Sequence, residues 1–224
     1  MKNISRRSVM ALLGAAPFAG ALVARAGTRE SGARAEDPPV QVISSRERLR
    51  QLHFPNVLLT THEGKKVRFY DDLLKDKIVV LNFMYANCEG ICPGITTNLV
   101  RVQKLLGDRV GRDIFMYSFT LKPQEDTPQK MAEYAKMHRV GPGWQFLTGD
   151  PADMELLRRK LGFTDPDPVV DADKSSHIGN VRYGNEPLQR WAACPGMAHA
   201  SFIVESISWL DAKTGTETGK GERK

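Results

Sequence analysis

Apolar positions along the chain fall into two kinds of run. Ile78-Val79-Val80-Leu81-Asn82-Phe83-Met84-Tyr85 and Ile114–Leu121 are almost continuously apolar over strand length, the pattern of parallel strands covered on both faces. Elsewhere apolar residues recur at helical spacing. Pro93 opens such a pattern through Leu99, Val102, Leu105 and Leu106. Thr127-Pro128 and Asp150-Pro151 each pair a capping side chain with proline at the first helical position. They predict helices running to about His138 and to near Gly162. Ser45–Leu52 reads as a short helix capped by Ser45, and Trp144–Leu147 as a short strand. Ser201–Leu210 reads as a last helix with Phe202, Ile203, Ile207 and Leu210 on one face. Asn56–Thr60 and Lys66–Tyr70 flank His62-Glu63-Gly64-Lys65, a hairpin signal. This alternation predicts an α/β domain with a mainly parallel central sheet flanked by helices and an N-terminal β-hairpin.

The ends of the chain have a different character. Lys2–Arg7 is basic, Val9–Ala24 is an apolar run too short for a membrane span, and Ala24-Arg25-Ala26 fits a small-x-small cleavage site. Residues 1–26 therefore read as a signal peptide, and Ser5-Arg6-Arg7-Ser8-Val9-Met10 resembles a twin-arginine export signal. The expected location is the bacterial envelope, in the periplasm, with membrane attachment only if this segment is retained. Residues 27–40 read as a linker, 41–210 as one domain, and 211–224 as a disordered Thr-, Gly- and Lys-rich tail. The whole chain of 224 residues is 41% hydrophobic and 26% charged, an ordinary globular mix. Lys2, Arg6, Arg7 and Arg25 supply four of its six net positive charges. The remainder is close to neutral, which argues against a nucleic-acid partner.

Three cysteines cannot make a disulfide framework, but two of them stand together in Cys88-Glu89-Gly90-Ile91-Cys92-Pro93. This segment follows a buried strand and enters a helix, the end of an α/β sheet where sites are built. Pro93 puts Cys92 at or beside the helix start, where unpaired N–H groups and the helix dipole favour a thiolate. Two thiolates select Cu(I), zinc or an iron–sulfur cluster. A cluster or a closed zinc site needs more cysteine or histidine partners than this chain offers. Copper suits two thiolates plus an imidazole. Thiol–disulfide exchange suits the same helix start, although thioredoxin has two intervening residues where this chain has three. An inert disulfide is the third reading.

These residues, taken with their neighbours, resemble the Sco/SenC family of copper-binding cytochrome c oxidase assembly factors. The resemblance runs from about Asn56 to Phe163. It rests on Val79–Phe83 leading into Cys88-x-x-x-Cys92-Pro93, then Pro123-x-x-Asp126-Thr127-Pro128, Tyr134-Ala135-Lys136 and Trp144-x-Phe146-Leu147-Thr148-Gly149. It implies a thioredoxin-like fold, a redox-active cysteine pair, and one copper ion, Cu(I) or Cu(II), held by both cysteines and a distal histidine. Carried over, the metal ligands are Cys88, Cys92 and His177, the last just ahead of an expected strand. His199, in a loop before the last helix and near Cys194, is the second choice. The implied partner is an apo-cuproprotein, with the dinuclear copper site of cytochrome c oxidase subunit II as the family's acceptor. This chain departs from the family in having Glu89-Gly90 where Pro-Asp is common, and Lys122 where Asp often precedes the proline. After Phe163 it also runs from a short strand into Glu186–Met197 instead of a simple hairpin. The expected function is that of an envelope copper chaperone. The alternative is a thiol–disulfide oxidoreductase that reduces its acceptor's cysteine pair.

The remaining candidates have plainer expectations. His62 reads as a turn residue, His138 as a solvated helix end, and Arg158-Arg159-Lys160 as a solvated helix face. Trp191 reads as an anchor, Cys194 as a buried small apolar residue, and Asp126 as structural.

Overall fold

A computed structural model describes residues 43–174 and 179–211. The signal-peptide and linker segments, His177 and the tail beyond Asp211 lie outside the described residues. Among the described residues seven strands form one sheet: β1 (Leu58–Thr61), β2 (Lys66–Arg68), β3 (Ile78–Met84), β4 (Ile114–Thr120), β5 (Trp144–Gly149), β6 (Asn180–Asn185) and β7 (Arg190–Pro195). Their order is β2-β1-β5-β4-β3-β6-β7. The two long apolar runs, β3 and β4, lie side by side at the centre, parallel to each other, with β5 parallel to β4. The outer strands are all antiparallel to their neighbours. The centre is thus parallel, while the sheet as a whole is mixed.

The helices are α1 (Ser45–His53), α2 (Cys92–Leu106), α3 (Pro128–Met137), α4 (Pro151–Lys160), α5 (Pro168–Ala172) and α6 (Ala200–Asp211). A single π-helical turn covers Phe69–Leu74. Alternate residues of β3 serve two cores, as strand geometry requires. Val80 and Met84 join α2, α3 and α6 on one face. Val79, Leu81 and Phe83 join the π turn and α4 on the other. Burying each large apolar side chain contributes about 2 kcal/mol. The result is the three-layer, thioredoxin-like arrangement.

The capping signals in the sequence operate as read at α3 and α4. Thr127 accepts from the Lys130 N–H at 3.3 Å, and Asp150 from the Ala152 N–H at 2.8 Å. Several expectations need correction. The cap of α1 is Ser44, which accepts from the Glu47 N–H at 3.2 Å; Ser45 is already inside the helix. On α6 the buried positions are Ala200, Ile203, Ser206, Ile207 and Leu210, whereas Phe202 is 49% exposed. Phe202 stands one residue, about 100° of rotation, off that stripe. Asp211, expected to begin the tail, ends α6 and pairs with Arg109. His138 is no solvated end: its Nε2 is buried without a partner, and its ring lies 4.3 Å from that of Tyr134.

Two larger differences shape the C-terminal half. β6 and β7 form a regular hairpin, in register from Asn180↔Pro195 to Asn185↔Arg190, where no simple hairpin was expected. Its turn, Glu186–Gln189, has no Gly or Asn; Gln189 takes the left-handed conformation, φ 54°. The turn is held from outside. Glu186, 1% exposed, accepts from the Tyr70 hydroxyl at 2.8 Å and the Asp76 N–H at 2.9 Å, and it pairs with Arg46 of α1. Arg158, expected on a solvated face, is 3% exposed. It binds Glu155 and Asp171 with paired bonds and donates to Phe163 O at 2.9 Å. This ion cluster fastens the short α5 to α4.

Candidate functional site

β3 ends at Met84, and the chain must turn before α2 can begin. The turn is fastened by Asp126, which is 1% exposed. Its carboxylate accepts the Ala86 N–H at 3.1 and 3.3 Å and the Thr120 hydroxyl at 2.5 Å. Thr120 in turn accepts from the Lys122 N–H at 2.9 Å. Leu121 N–H donates to Met84 O at 2.8 Å, which ties the ends of β3 and β4 together. The Asp126 carboxylate therefore holds the turn in place, the structural part expected of it. The Cys88 N–H then closes a tight turn on Tyr85 O at 3.2 Å.

Glu89, Gly90 and Ile91 are exposed, while Cys88 and Cys92 flank them at 6% and 1% exposure. Cys92 is the first residue of α2 and Pro93 the second. Both sulfurs belong to the core that α2, α3 and α6 share with the sheet. The two thiols are not equivalent. Burial works against ionising Cys88, but hydrogen bonds from the Cys92 thiol, the Cys92 and Gly90 N–H groups and the Tyr85 hydroxyl outweigh it. Its thiol is held below the ordinary value. Cys92 is pushed up to about 12, by burial first and then by its proton's bond to Cys88. The helix-start argument had favoured Cys92 as the thiolate. The structure reverses this, because the Gly90 and Cys92 N–H groups bond to the Cys88 sulfur while Cys92 is sealed in the core.

Tyr85 closes one side. Burial and its bond to Cys88 push its hydroxyl up to about 12. Lys122, the departure noted in the second motif, sets its Nζ 4.5 Å above the Tyr85 ring, a cation–π contact at the rim. Asp173 also bears electrostatically on Tyr85.

The other expected residues are placed as follows. Cys194 is buried on β7, its thiol raised by burial and bonded to Tyr183. His62 sits in the β1–β2 turn and accepts the Phe146 N–H at Nδ1, 3.1 Å. His199 is exposed ahead of α6. His177 lies outside the described residues, but its neighbour two positions on does not. A Cβ on Gly179 would stand 2.8 Å from Ile91 Cδ1 and 3.1 Å from Ile95 Cδ1, against the start of α2. Among the described residues no cluster of three or more His, Cys, Asp or Glu side chains could hold a metal. The partners of the Cys88 sulfur, Tyr85 above all, were not legible in the sequence. A tyrosine closing a buried strand is an ordinary core residue until the turn folds back.

A thioredoxin-like sheet with a Cys-x-x-x-Cys pair at the first strand–helix junction of its parallel core is the class defined by this fold and site. The SCO1/SenC family model matches residues 47–177, more than half of the chain. The chain belongs to the SCO1/SenC family. It is 32% identical over 88 residues to a SCO1 protein homolog of Bacillus subtilis, covering 39% of this chain and 44% of that protein. It spans about half the length of the curated relatives it matches. Among solved structures it is similar to Bradyrhizobium japonicum ScoI with copper bound, at TM-score 0.55 and 21% identity over 68% of this chain and 96% of that one. It is also similar to BsSco, described with a disulfide switch and as a member of the Sco family of cytochrome c oxidase assembly proteins. That match has TM-score 0.56 and 21% identity over 69% of this chain and 90% of that one.

Proposed function

We propose that this chain is a copper carrier of the bacterial envelope, exported to the periplasm through residues 1–26. Cys88, Cys92 and His177 hold one copper ion and pass it to an apo-cuproprotein, with cytochrome c oxidase subunit II as the leading candidate. The observation that carries this reading is the buried, unequal cysteine pair, in which the Cys92 thiol donates to a Cys88 sulfur held below its ordinary pKa. A soft cation binds where that thiol proton sits, because two converging sulfurs select Cu(I) over harder ions. The copper-bound relative of the same fold and the family's link to oxidase assembly support the reading. Gly179 packs against Ile91, a residue between the two cysteines, and His177 is two positions from it along the chain, which supports His177 as third ligand.

Release proceeds by ligand exchange. Each incoming acceptor thiol loses its proton as it binds copper, and each departing donor sulfur gains one. The copper keeps its oxidation state. The deciding experiment is competition with a Cu(I) chelator on the fully reduced chain under argon. One copper per chain, lost in Cys88→Ala and Cys92→Ala, is the expected result; a reduced protein that retains none overturns the reading. A His177→Ala protein that binds Cu(II) as the parent does removes His177 from the ligand set.

The same asymmetry supports a second reading as a thiol–disulfide oxidoreductase. The Cys88 thiolate attacks an acceptor disulfide and expels one thiolate, and Cys92 then displaces the other. Two electrons reach the acceptor and a Cys88–Cys92 disulfide remains. Loss of copper from the reduced protein on gel filtration, together with rapid exchange of that disulfide, would favour this reading.

A further inference from the structure

The turn after β7 brings two further soft-metal donors to the outer side of the same helix start. It runs from Pro195 to Ala198, closed by the Ala198 N–H on Pro195 O at 2.9 Å. Buried Asn98 of α2 donates from Nδ2 to Gly196 O at 2.9 Å and to Ala198 O at 2.7 Å. The Gly196 N–H donates to Gly179 O at 2.7 Å. The turn is therefore fastened both to α2 and to the residue two places after His177. On this fixed backbone Met197 is 56% exposed, and its Sδ lies 3.3 Å from where a Cβ on Gly94 would stand. His199, also exposed, has Nδ1 2.7 Å from the Ser201 hydroxyl. With Nδ1 so engaged, Nε2 is the nitrogen presented to a metal, the usual way a ligating imidazole is oriented. Met197 and His199 line one surface depression with Pro93, Gly94 and Asn98.

We propose that Met197 and His199 form a second, weaker Cu(I) site, where the ion is held on its way into or out of the cysteine pair. Thioether and imidazole are both Cu(I) donors, and a thioether carries no proton that must leave first. The geometry answers a need of the site described above. Cys88 and Cys92 are almost sealed from solvent, so an incoming ion needs an accessible first contact. Met197 and His199 offer one beside Pro93 and Gly94, the residues that follow Cys92. The step is ligand exchange only: a water or a donor's ligand leaves as the thioether and imidazole enter, and no electron moves. The role in transfer rests on the copper-carrier reading; the site itself does not.

The test therefore removes the cysteine pair. A full-chain Cys88→Ser/Cys92→Ser protein is titrated with Cu(I) under argon against a weak chromogenic chelator. About one ion per chain is expected, with affinity falling about tenfold or more in Met197→Leu or His199→Ala. Met137→Leu, at an exposed methionine on α3, serves as the control that keeps it. No retained ion, or one held equally well without Met197 and His199, overturns the proposal. In case the serine variant fails to fold, the wild-type chain labelled at its methionine methyls is titrated with Ag(I) past one equivalent. A shift of the Met197 methyl beyond that point is expected, and an unshifted methyl overturns the proposal. If wild type holds no copper at its cysteines but the Met197–His199 site binds, the carrier reading fails and this site stands.

Discussion

At the scale of single residues, the site depends on groups that face inward. Asp126 serves two donors through three bonds, and without it the Ala86 N–H and the Thr120 hydroxyl lose their acceptor. Asp126→Ala should cost about 3 kcal/mol of stability in denaturant unfolding. It should also loosen the turn that positions Cys88, read as faster alkylation of Cys88. In the intact, reduced protein, iodoacetamide should label Cys88 well before Cys92, because Cys88 is both the more exposed and the lower-pKa thiol. Peptide mapping after partial labelling checks the order, and preferential labelling of Cys92 would contradict the asymmetry. The cysteine motif was legible in the sequence because spacing, strand and proline are all local. Which thiol has the lower pKa was not, because that depends on which N–H groups reach each sulfur and on what covers Cys92.

At the scale of elements, local signals succeeded where a single segment carries them. The cap-plus-proline starts of α3 and α4 and the apolar runs of β3 and β4 are examples. The β6–β7 hairpin failed that test. Its turn residues are ordinary, and the Glu186 bonds that hold it come from Tyr70 and Arg46, more than 100 positions away. The strands also lock through Gly184, where a Cβ would meet Trp191 Cε3 at 2.1 Å. Gly184→Ala should therefore displace the indole and cost about 1–3 kcal/mol. A Trp191→Ala background should absorb part of that loss, which a double-mutant cycle in thermal unfolding measures. Arg158 was missed for the same reason as the hairpin, since its partner Asp171 sits on a separate helix. Bonding to Arg158 first of all holds Glu155 down at about 2 and lowers Asp171 as well. Both folded-state values lie below the unfolded ones. The cluster's stabilisation is thus complete above about pH 4.5 and drains away as pH falls through about 2. Arg158→Met should lower stability at pH 7 and flatten its decline between pH 4.5 and 2; an unchanged slope would mean that the cluster does not drive acid unfolding.

At the scale of the whole molecule, the proposed copper site ties metal binding to folding by mass action. An ion held by the folded chain alone stabilises it by about 4 kcal/mol when free copper exceeds the dissociation constant a thousandfold. Loading the reduced protein should raise its melting temperature, and Cys88→Ala should abolish most of that rise in a calorimeter. The sequence alone determined the layer architecture, the parallel centre and the cysteine pair at a strand–helix junction, because periodicity, capping and motif spacing act over a few residues. Tertiary structure decided the rest. It put Cys88 under the N–H groups of Gly90 and Cys92, sealed Cys92, made Arg158 a buried tie, closed β6 on β7, and set Met197 and His199 beside the helix start. Each of these depends on burial or on partners far along the chain, and a linear pattern of residue types does not record how segments distant in sequence exclude water from one another.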